Sequence, residues 1–494
     1  MKNSDQNNFI ANSTTPLVKR ALILGQFFLI IFVYHILKDL KDTLVITSSD
    51  AGAQVIPFLK IWVILPFAIL TSYLFSKIYQ RFGREKTLYF FVSLLLVSYA
   101  LFAFCLYPFR EKLHFYALSD FLTLALPVGF KGFISMVSYW IYTLFYLTAE
   151  LWAMMILTVL FWGYLNEIHT SQQAKSFYPI CVFVGNCAGI LSGQTSRFLC
   201  HSLMDTLSWQ ETLQIMVSLV IVCGIGIMVI NRLLSNLNTP VVLREAKKNA
   251  SSMGFTESVL CIVQSKPLMC IATLVVGFAL TSNLIEVVWK ETIKGVYPSP
   301  QAYNAYVNQL TSIIGTFAVC TSLLSRWIFQ RVSWVKIALV TPVSLFITSF
   351  AFFFSMQIAE ESLSPFASLF KMNSLYFVMT MGSIYYVLAL TAKYTIFDMC
   401  KEMAFLSIHP NERMRAKSVI DSIGSRLGKS GSSCLYQVLL ITFGSTAGHV
   451  SIVGITAILV IGISIIATKK LGDHISSQGA DRLKEEQILV EAPG

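Results

Sequence analysis

Long apolar runs separated by short polar stretches dominate this chain of 494 residues. A helix needs about 20 mostly apolar residues to cross the hydrocarbon core of a bilayer, and run after run reaches that length. We therefore predict an all-α polytopic membrane protein with twelve transmembrane helices. The predicted spans lie at 21–47, 56–79, 87–107, 138–165, 177–199, 213–231, 268–290, 304–326, 335–356, 372–398, 429–447 and 449–468.

One further apolar stretch, at 115–136, is left out of this set. Asp120, Pro127, Gly129 and Lys131 interrupt it. Counting it as a span would also invert every later helix and place the basic loops outside. We predict that this stretch forms a folded or re-entrant connector.

Basic residues in the loops predict the orientation. The loop after the second span carries Lys77, Arg81, Arg84 and Lys86, whereas the loop at 200–212, on the other side, has no Lys or Arg. Cytoplasmic loops carry an excess of these residues. Both termini are therefore predicted to be cytoplasmic. The first apolar run is too long for a signal peptide and no transit extension precedes it, which favours a bacterial inner membrane.

The longest predicted cytoplasmic loop separates two sets of six spans. Such a 6+6 arrangement is typical of major-facilitator-like transporters, which bind substrate at the bilayer midplane between the halves. The basic, glycine-containing segment KIYQRFGREK resembles the loop that these transporters carry after their second span. The predicted regions are a cytoplasmic N-terminus at 1–20, a six-helix half at 21–231, a cytoplasmic linker at 232–267, a second six-helix half at 268–468 and a cytoplasmic tail at 469–494.

The composition agrees with a membrane protein. Hydrophobic residues make up 55% of the chain and charged residues 13%, against about 25% charged residues in soluble domains. The net charge of +11 arises in the short loops and does not indicate nucleic acid as a partner. The ten cysteines form no CxxC or Cys/His cluster, so we predict core residues, no metal site and no cofactor. The sequence shows no nucleophile–base constellation of an enzyme.

Charged residues inside predicted spans indicate function, because each costs roughly 2.5–3.5 kcal/mol at the bilayer centre. Span one ends in YHILKDLKDTLVIT, where Lys38 and Lys41 share a helical face with Tyr34. Glu150 lies near the middle of span four. Two interpretations stay open. In the first, the lysines snorkel to the lipid headgroups and Glu150 forms a structural ion pair. In the second, all three side chains face a water-filled cavity.

Aromatic residues flank Glu150 in span four. Tyr146 and Trp152 are candidates to stack a planar base, a contact worth about 1–3 kcal/mol per base. Tyr34 is a third candidate. The alternative for these side chains is packing or an interfacial aromatic belt.

Spans seven and ten repeat the pattern of buried charge. Asn283, Glu286 and Lys290 lie at i, i+3 and i+7 on one face of span seven. We expect Lys290 to snorkel at the outer mouth and Glu286 to lie deeper. Span ten carries Lys393 and Lys401, and a cytoplasmic helix end is the alternative interpretation of Lys401. Spans one, four, seven and ten each begin a three-helix repeat, and in a major-facilitator fold they line the central cavity.

The segment IGSRLGKSGSS superficially resembles a phosphate-binding loop. The pattern G-x-x-x-x-G-K-S requires four residues between its glycines, but Gly424 and Gly428 are separated by three. No strand precedes the segment, and a predicted span follows it directly. We predict that it is not an ATPase site.

Six segments of the sequence carry a family resemblance. They are ILKDLKDTLVIT, IPFLKIWVILP, SYWIYTLFYLTAELW, NLIEVVWKETIK, FDMCKEMAFL and IDSIGSRLGKSGSS. Together they resemble the ATP:ADP antiporter family, the nucleotide transporters of obligate intracellular bacteria such as chlamydiae and rickettsiae, and of plastids. The resemblance implies a twelve-span carrier that imports host nucleotides, typically ATP in exchange for ADP. It also implies that Lys41, Glu150, Glu286 and Lys401 are the charges that transport needs.

Several residues depart from the family pattern. The family usually has Thr at the position of Leu40, a Pro-Thr pair at Met399 and Cys400, and Tyr-Ile-Pro at 405–407. These changes lie beside the implied functional charges. Proton-coupled import of other nucleotides or NAD therefore stays open as the alternative to ATP/ADP exchange.

The resemblance and the buried charges together predict a substrate site. The lysines are expected to neutralise phosphates, and the two glutamates to pair with lysines in the empty carrier. We expect ATP and ADP as substrates, with other nucleoside triphosphates or NAD as alternatives, and phosphate leaving together with ADP. The predicted substrate-binding residues are Lys38, Lys41, Tyr146, Glu150, Trp152, Asn283, Glu286, Lys393 and Lys401.

Overall fold

The computed structural model describes residues 2–49, 51–169, 171–237, 255–358, 360–408, 416–417, 419–444 and 446–491. Within these ranges the chain consists of helices and connecting turns, without a strand. The predicted all-α class is confirmed.

We number the helices in chain order. Up to residue 236 they are α1 (Lys2–Thr47), α2 (Gly52–Leu106), α3 (Arg110–Leu113), α4 (Tyr116–Ala125), α5 (Lys131–Ser138), α6 (Trp140–Ile168), α7 (Ser171–Arg197) and α8 (Trp209–Asn236). The later ones are α9 (Phe255–Gln264), α10 (Lys266–Val296), α11 (Pro300–Arg331), α12 (Trp334–Gln357), α13 (Glu360–Leu369), α14 (Ser374–Leu406), α15 (Ser425–Phe443) and α16 (Thr446–Glu491).

Ten helices in the described part of the chain are long and apolar enough to cross a membrane. The protein is therefore a multi-pass membrane protein by length and composition. The ten are α1, α2, α6, α7, α8, α10, α11, α12, α14 and α16.

The chain groups into two compact units. Unit 1 comprises Met1–Leu126, Lys131–Lys248 and Tyr297–Val319, and in it α1 packs against α6, α7 and α8. Unit 2 comprises Pro127–Phe130, Asn249–Val296 and Cys320–Gly494, and in it α10 packs against α14, α15 and α16. The predicted linker at 232–267 lies partly outside the described residues, at 238–254.

Helix α2 is 55 residues long, more than twice the length of about 20 residues that one bilayer crossing needs. It is interrupted at Gly83, whose φ of 73° and ψ of 177° are poorly accessible to residues with a side chain. This break falls inside the basic segment that the sequence places between the second and third spans. The basic segment thus contains a sharp kink at which two helical parts of α2 meet.

The stretch at 115–136 does not form one long helix. It consists of α4, a 3₁₀ turn at Val128–Phe130 and the beginning of α5. The prediction of a folded connector is confirmed, and Pro127 lies at the break between the short helices.

Several helices contain π-helical segments, in which the hydrogen bonds skip one extra residue. Such segments are rare and often occur at functional sites. Two of them begin at predicted site residues, Trp152–Phe161 within α6 and Lys393–Phe397 within α14. A third, Ile420–Gly424, directly precedes α15.

The segment that mimics a phosphate loop is a helix-packing surface. Gly424, the residue before α15, is followed at intervals of four residues by Gly428 and Ser432 within α15, which packs against α10. A Cβ atom at Gly428 would lie 2.7 Å from the carbonyl oxygen of Val276, so the backbones of the two helices approach closely there. Small residues at such spacing allow close helix packing in membranes, where lipid removes most of the hydrophobic driving force between helices.

We expect Gly428→Leu to destabilise unit 2 by about 1–3 kcal/mol, because the added side chain overpacks the contact between α10 and α15. Gly431→Leu is the matched control, since a Cβ atom there meets nothing within 4 Å. Thermal unfolding of the detergent-solubilised variants measures the difference. Equal melting temperatures for the two variants would contradict the packing role of Gly428.

Candidate functional site

Lys41 of α1 is held by charged and aromatic groups of unit 1. Its ammonium nitrogen lies 2.9 Å from Oε1 of Glu150 on α6 and 3.1 Å from Oδ1 of Asp42. It also lies 3.7 Å from the ring centroid of Tyr146. The Lys41 side chain is only 7% exposed, whereas that of Glu150 is 34% exposed. A buried ammonium is therefore neutralised by one buried and one accessible carboxylate.

The sequence spacing explains this arrangement. Tyr146 and Glu150 are four residues apart, so both lie on the face of α6 that meets α1. The ring contributes a cation–π contact of about 0.5–2 kcal/mol, and the carboxylate removes the cost of an isolated buried charge. Glu150 is the partner of Lys41 that lies on another helix, and its side chain is partly accessible.

The neighbouring charges of α1 are also paired. Lys38 lies 3.3 Å from Oδ1 of Asp39, and the buried Asp39 accepts a hydrogen bond of 2.7 Å from Thr311 of α11. One turn later, Asn304 of α11 donates a 2.8 Å hydrogen bond to Thr43. Hydrogen bonds between α1 and the first part of α11 thus explain why Asp39 is buried. Of the two lysines on α1, Lys38 is more accessible than Lys41.

The two aromatic candidates in α6 are both buried in packing contacts. Trp152 is fully buried, and its indole N–H donates to the carbonyl oxygen of Ile30 at 3.2 Å. Tyr146 is 1% exposed and lies beneath Lys41. Tyr146 thus contacts Lys41, Trp152 joins α6 to α1, and base stacking by either stays a prediction.

In unit 2, Glu286 and Lys290 form an ion pair along α10. Nζ of Lys290 lies 2.5 Å from Oε1 of Glu286, and the Lys290 side chain is 3% exposed. The expectation that Lys290 snorkels at the outer mouth is wrong, because a lysine four residues from a glutamate pairs with it inside the bundle. We expected Glu286 to pair with the lysines that are predicted to bind phosphate, but in the structure it pairs with Lys290.

Asn283 joins α10 to α15. Its amide donates to Ser432 at 2.6 Å and to Ser433 at 3.2 Å, and all three side chains are buried. The hydrogen bonds satisfy the amide within the helix contact. This geometry favours a structural role for Asn283, and substrate contact by its side chain stays a prediction.

The two lysines of α14 differ in their surroundings. Lys401 lies 2.8 Å from Asp421 and 3.7 Å from Asp398. Lys393 is half-buried at the beginning of the π-helical segment, 5.9 Å from the ring centroid of Phe278. Among the described residues no carboxylate lies within 4 Å of its ammonium group, so Lys393 is the candidate lysine whose charge is least compensated.

The family described as TLC ATP/ADP transporter matches residues 9–475. This chain belongs to that family. The resemblance found in the sequence is thereby confirmed, and it extends over nearly all of the chain, beyond the six segments that first indicated it.

Relatives of this TLC family chain occur in both bacteria and plastids. ADP,ATP carrier protein 2 of Chlamydia pneumoniae is 33% identical over 477 residues, which cover 92% of this chain and 88% of the relative. The plastidic ATP/ADP-transporter of Solanum tuberosum is 34% identical over 491 residues, covering 98% of this chain and 76% of the relative.

Solved structures with a similar fold are membrane transporters. A D-xylose-proton symporter superposes with a TM-score of 0.56 at 12% identity, covering 92% of this chain and 97% of the symporter. A bacterial homologue of the iron transporter ferroportin gives the same TM-score and identity, covering 92% and 99%. At this identity the likeness shows the major-facilitator-like fold alone.

Sequence reasoning missed three partners within the TLC family chain. Lys290 follows Glu286 by four residues, a spacing that allows an ion pair, but we assigned Lys290 to the membrane surface. Asp421 lies in the π-helical segment Ile420–Gly424, and its pairing with Lys401 depends on how α14 and that segment meet. Thr311 carries no charge, so no charge pattern could have indicated its hydrogen bond to Asp39.

Proposed function

We propose that this protein is a nucleotide carrier that imports ATP in exchange for ADP across a bacterial inner membrane by alternating access. The observation that carries the proposal is the family match over residues 9–475, together with relatives that are named ADP,ATP carriers. The major-facilitator-like fold supports it, because this fold suits alternating access to one substrate site.

We also propose the topology of twelve spans in two halves of six, at 21–231 and 268–468. Dividing α2 at Gly83 adds one span to the ten candidates, and α15, with 19 residues, supplies the twelfth. The excess of Lys and Arg in the loops of one side supports a cytoplasmic position for both termini.

The lysines carry the proposed contacts to phosphate. Lys41 and Lys401 each lie within 3 Å of a carboxylate on another segment of their own unit. An incoming phosphate competes with that carboxylate for the ammonium group. Lysine suits this exchange because it acts as a flexible point charge and does not bind in a rigid bidentate geometry. We propose that Lys38 and Lys393 add charge to the same task.

The carboxylates are proposed to protect the empty carrier. Without Glu150 and Asp421, the ammonium groups of Lys41 and Lys401 would lose their nearest partners when the nucleotide leaves. Breaking one side of a buried ion pair costs about 3–5 kcal/mol, so paired carboxylates keep the substrate-free states accessible.

Counter-substrate dependence tests the exchange. We expect proteoliposomes loaded with ADP to take up labelled external ATP at least about tenfold faster than vesicles without internal nucleotide. Equal uptake in both would contradict exchange, and uptake that a protonophore abolishes would support proton-coupled import. Loading phosphate with the ADP tests co-export, and competition by other nucleoside triphosphates and NAD defines the substrate range.

A further inference from the structure

Unit 1 contains a cavity of about 310 Å³, lined largely by aromatic residues, at the C-terminal end of α1. It lies where α1 and α2 end and α6 and α8 begin. This volume is at the lower limit of typical ligand pockets, which span roughly 300–1,000 Å³. The residues that line it include Tyr107, Arg110, His114, Tyr116, Tyr139 and Tyr142.

His114 is a polar residue in the wall of this cavity. It is 7% exposed, and within the described part of the chain neither ring nitrogen has a hydrogen-bond partner. Its ring meets those of Tyr139 and Tyr142 edge-on, at centroid distances of 4.9 and 5.0 Å. A buried polar group left without a partner costs about 1–3 kcal/mol, so a ligand that bonds to it recovers that cost.

The charge state of His114 narrows the ligand chemistry. Burial and the nearby Arg110 guanidinium lower the pKa of His114 to about 4. The imidazole is therefore neutral at pH 7 and offers one N–H donor and one acceptor nitrogen. A neutral donor–acceptor group among tyrosine rings suits the edge of a heterocyclic base, whereas a phosphate would require donors alone.

The wall of the cavity is held in place at its mouth. The Arg110 guanidinium lies 4.4 Å from the ring centroid of Tyr107 and donates to the Tyr107 carbonyl oxygen at 3.1 Å. Arg110 supplies a cation at the rim, and the exposed Glu111 beside it supplies an opposing charge.

The cavity shares helix faces with the Lys41 pair. Leu44 lines it and follows Lys41 at i+3 on α1, about 5 Å farther along the helix, and Ser48 lines it directly after the end of α1. On α6, Tyr142 lines it and precedes Tyr146, the ring beneath Lys41, by four residues. A ligand seated in the cavity is therefore one to two helical turns from the Lys41 ammonium.

We infer that this cavity is a docking subsite for the base of the transported nucleotide. The base stacks among the tyrosines and bonds to His114 through its edge. The inference rests on the proposed function and extends it, because the subsite lies at the non-cytoplasmic end of α1 in the proposed topology. It captures external nucleotide before the phosphates engage Lys41.

The kinetics of external ATP uptake into ADP-loaded proteoliposomes test the subsite. We expect His114→Leu and Tyr116→Leu to raise the KM for ATP roughly 5- to 150-fold with little change in kcat, which corresponds to the loss of about 1–3 kcal/mol of stacking and hydrogen bonding. His114→Gln retains a donor and an acceptor, so its KM should stay close to that of the wild type. Phe115→Leu, at an exposed neighbouring residue that does not line the cavity, is the matched control.

Each outcome decides the inference. Wild-type exchange together with an unchanged KM in both leucine variants overturns the subsite and leaves the proposed function standing. A lower kcat at constant KM also overturns it, because that result indicates a structural role. If His114→Leu does not fold, Tyr116→Leu decides, since Tyr116 is 45% exposed at the rim. Absence of wild-type exchange would reject the proposed function itself.

Discussion

Replacing Lys41 by alanine is expected to reduce ATP uptake by about 100-fold while the protein still inserts into the membrane. The ammonium group is 2.9 Å from Glu150 and is the most completely surrounded candidate charge of unit 1. A hydrogen bond to a charged group contributes about 1.5–3 kcal/mol, and a phosphate-binding lysine contributes that amount to each substrate-bound step. Uptake by ADP-loaded proteoliposomes, normalised to the amount of inserted protein, measures the effect.

A second variant separates substrate binding from ion-pair structure. Lys41→Ala removes the cation that Glu150 and Asp42 share, so loss of transport could follow from this change in the ion pairs alone. Lys41→Ala with Glu150→Gln removes one of these carboxylate charges. If the double variant regains wild-type uptake, Lys41 has only a structural role. If it stays inactive with an unchanged melting temperature, Lys41 acts on the substrate.

Lys19 provides the matched control on the same helix. It lies on α1 just before the first predicted span, which begins at residue 21, and a lysine there contacts headgroups for about 1 kcal/mol. Lys19→Ala should therefore retain transport within a few-fold of the wild type. Normal uptake by Lys41→Ala as well would reject the phosphate-binding role proposed for Lys41.

The sequence was sufficient to identify which residues are charged inside the bundle, but it could not identify their partners. Lys41 and Glu150 stood out because charge is costly within apolar runs. Their pairing depends on which faces of α1 and α6 meet, and it therefore became visible only in three dimensions. Lys290 shows the opposite failure. Its partner Glu286 was one helical turn away, yet the lysine was assigned to the membrane surface because of its position along the span.

The elements of the fold were predictable to the extent that periodicity and length define them. The interrupting Pro127 marked the stretch at 115–136 as a connector, and the structure breaks the helix there. The basic segment around Gly83 was expected to be a loop, whereas a single glycine conformation makes the turn. The π-helical segments have no signature in hydrophobic periodicity, since one extra residue per turn arises from packing between helices.

Removing the charge of Glu286 from its ion pair with Lys290 is expected to lower both stability and transport strongly. Glu286→Gln removes the carboxylate that lies 2.5 Å from a lysine with 3% exposure. We expect a fall in stability of about 3–5 kcal/mol, because the buried ammonium loses this neighbouring charge, and a loss of transport of more than about tenfold. Thermal unfolding in detergent and uptake by ADP-loaded proteoliposomes are measured on the same preparations.

The double variant Glu286→Gln with Lys290→Met then distinguishes two roles for the pair. Removing both charges of a buried ion pair is often neutral for stability, so the melting temperature should return close to the wild-type value. Transport should stay low in this variant, because the family resemblance and the 24% exposure of Glu286 both favour a carboxylate that acts during transport. Recovery of transport together with stability would show that Glu286 and Lys290 serve only to neutralise each other. The charges needed for exchange would then have to be sought in Lys41, Glu150 and Lys401.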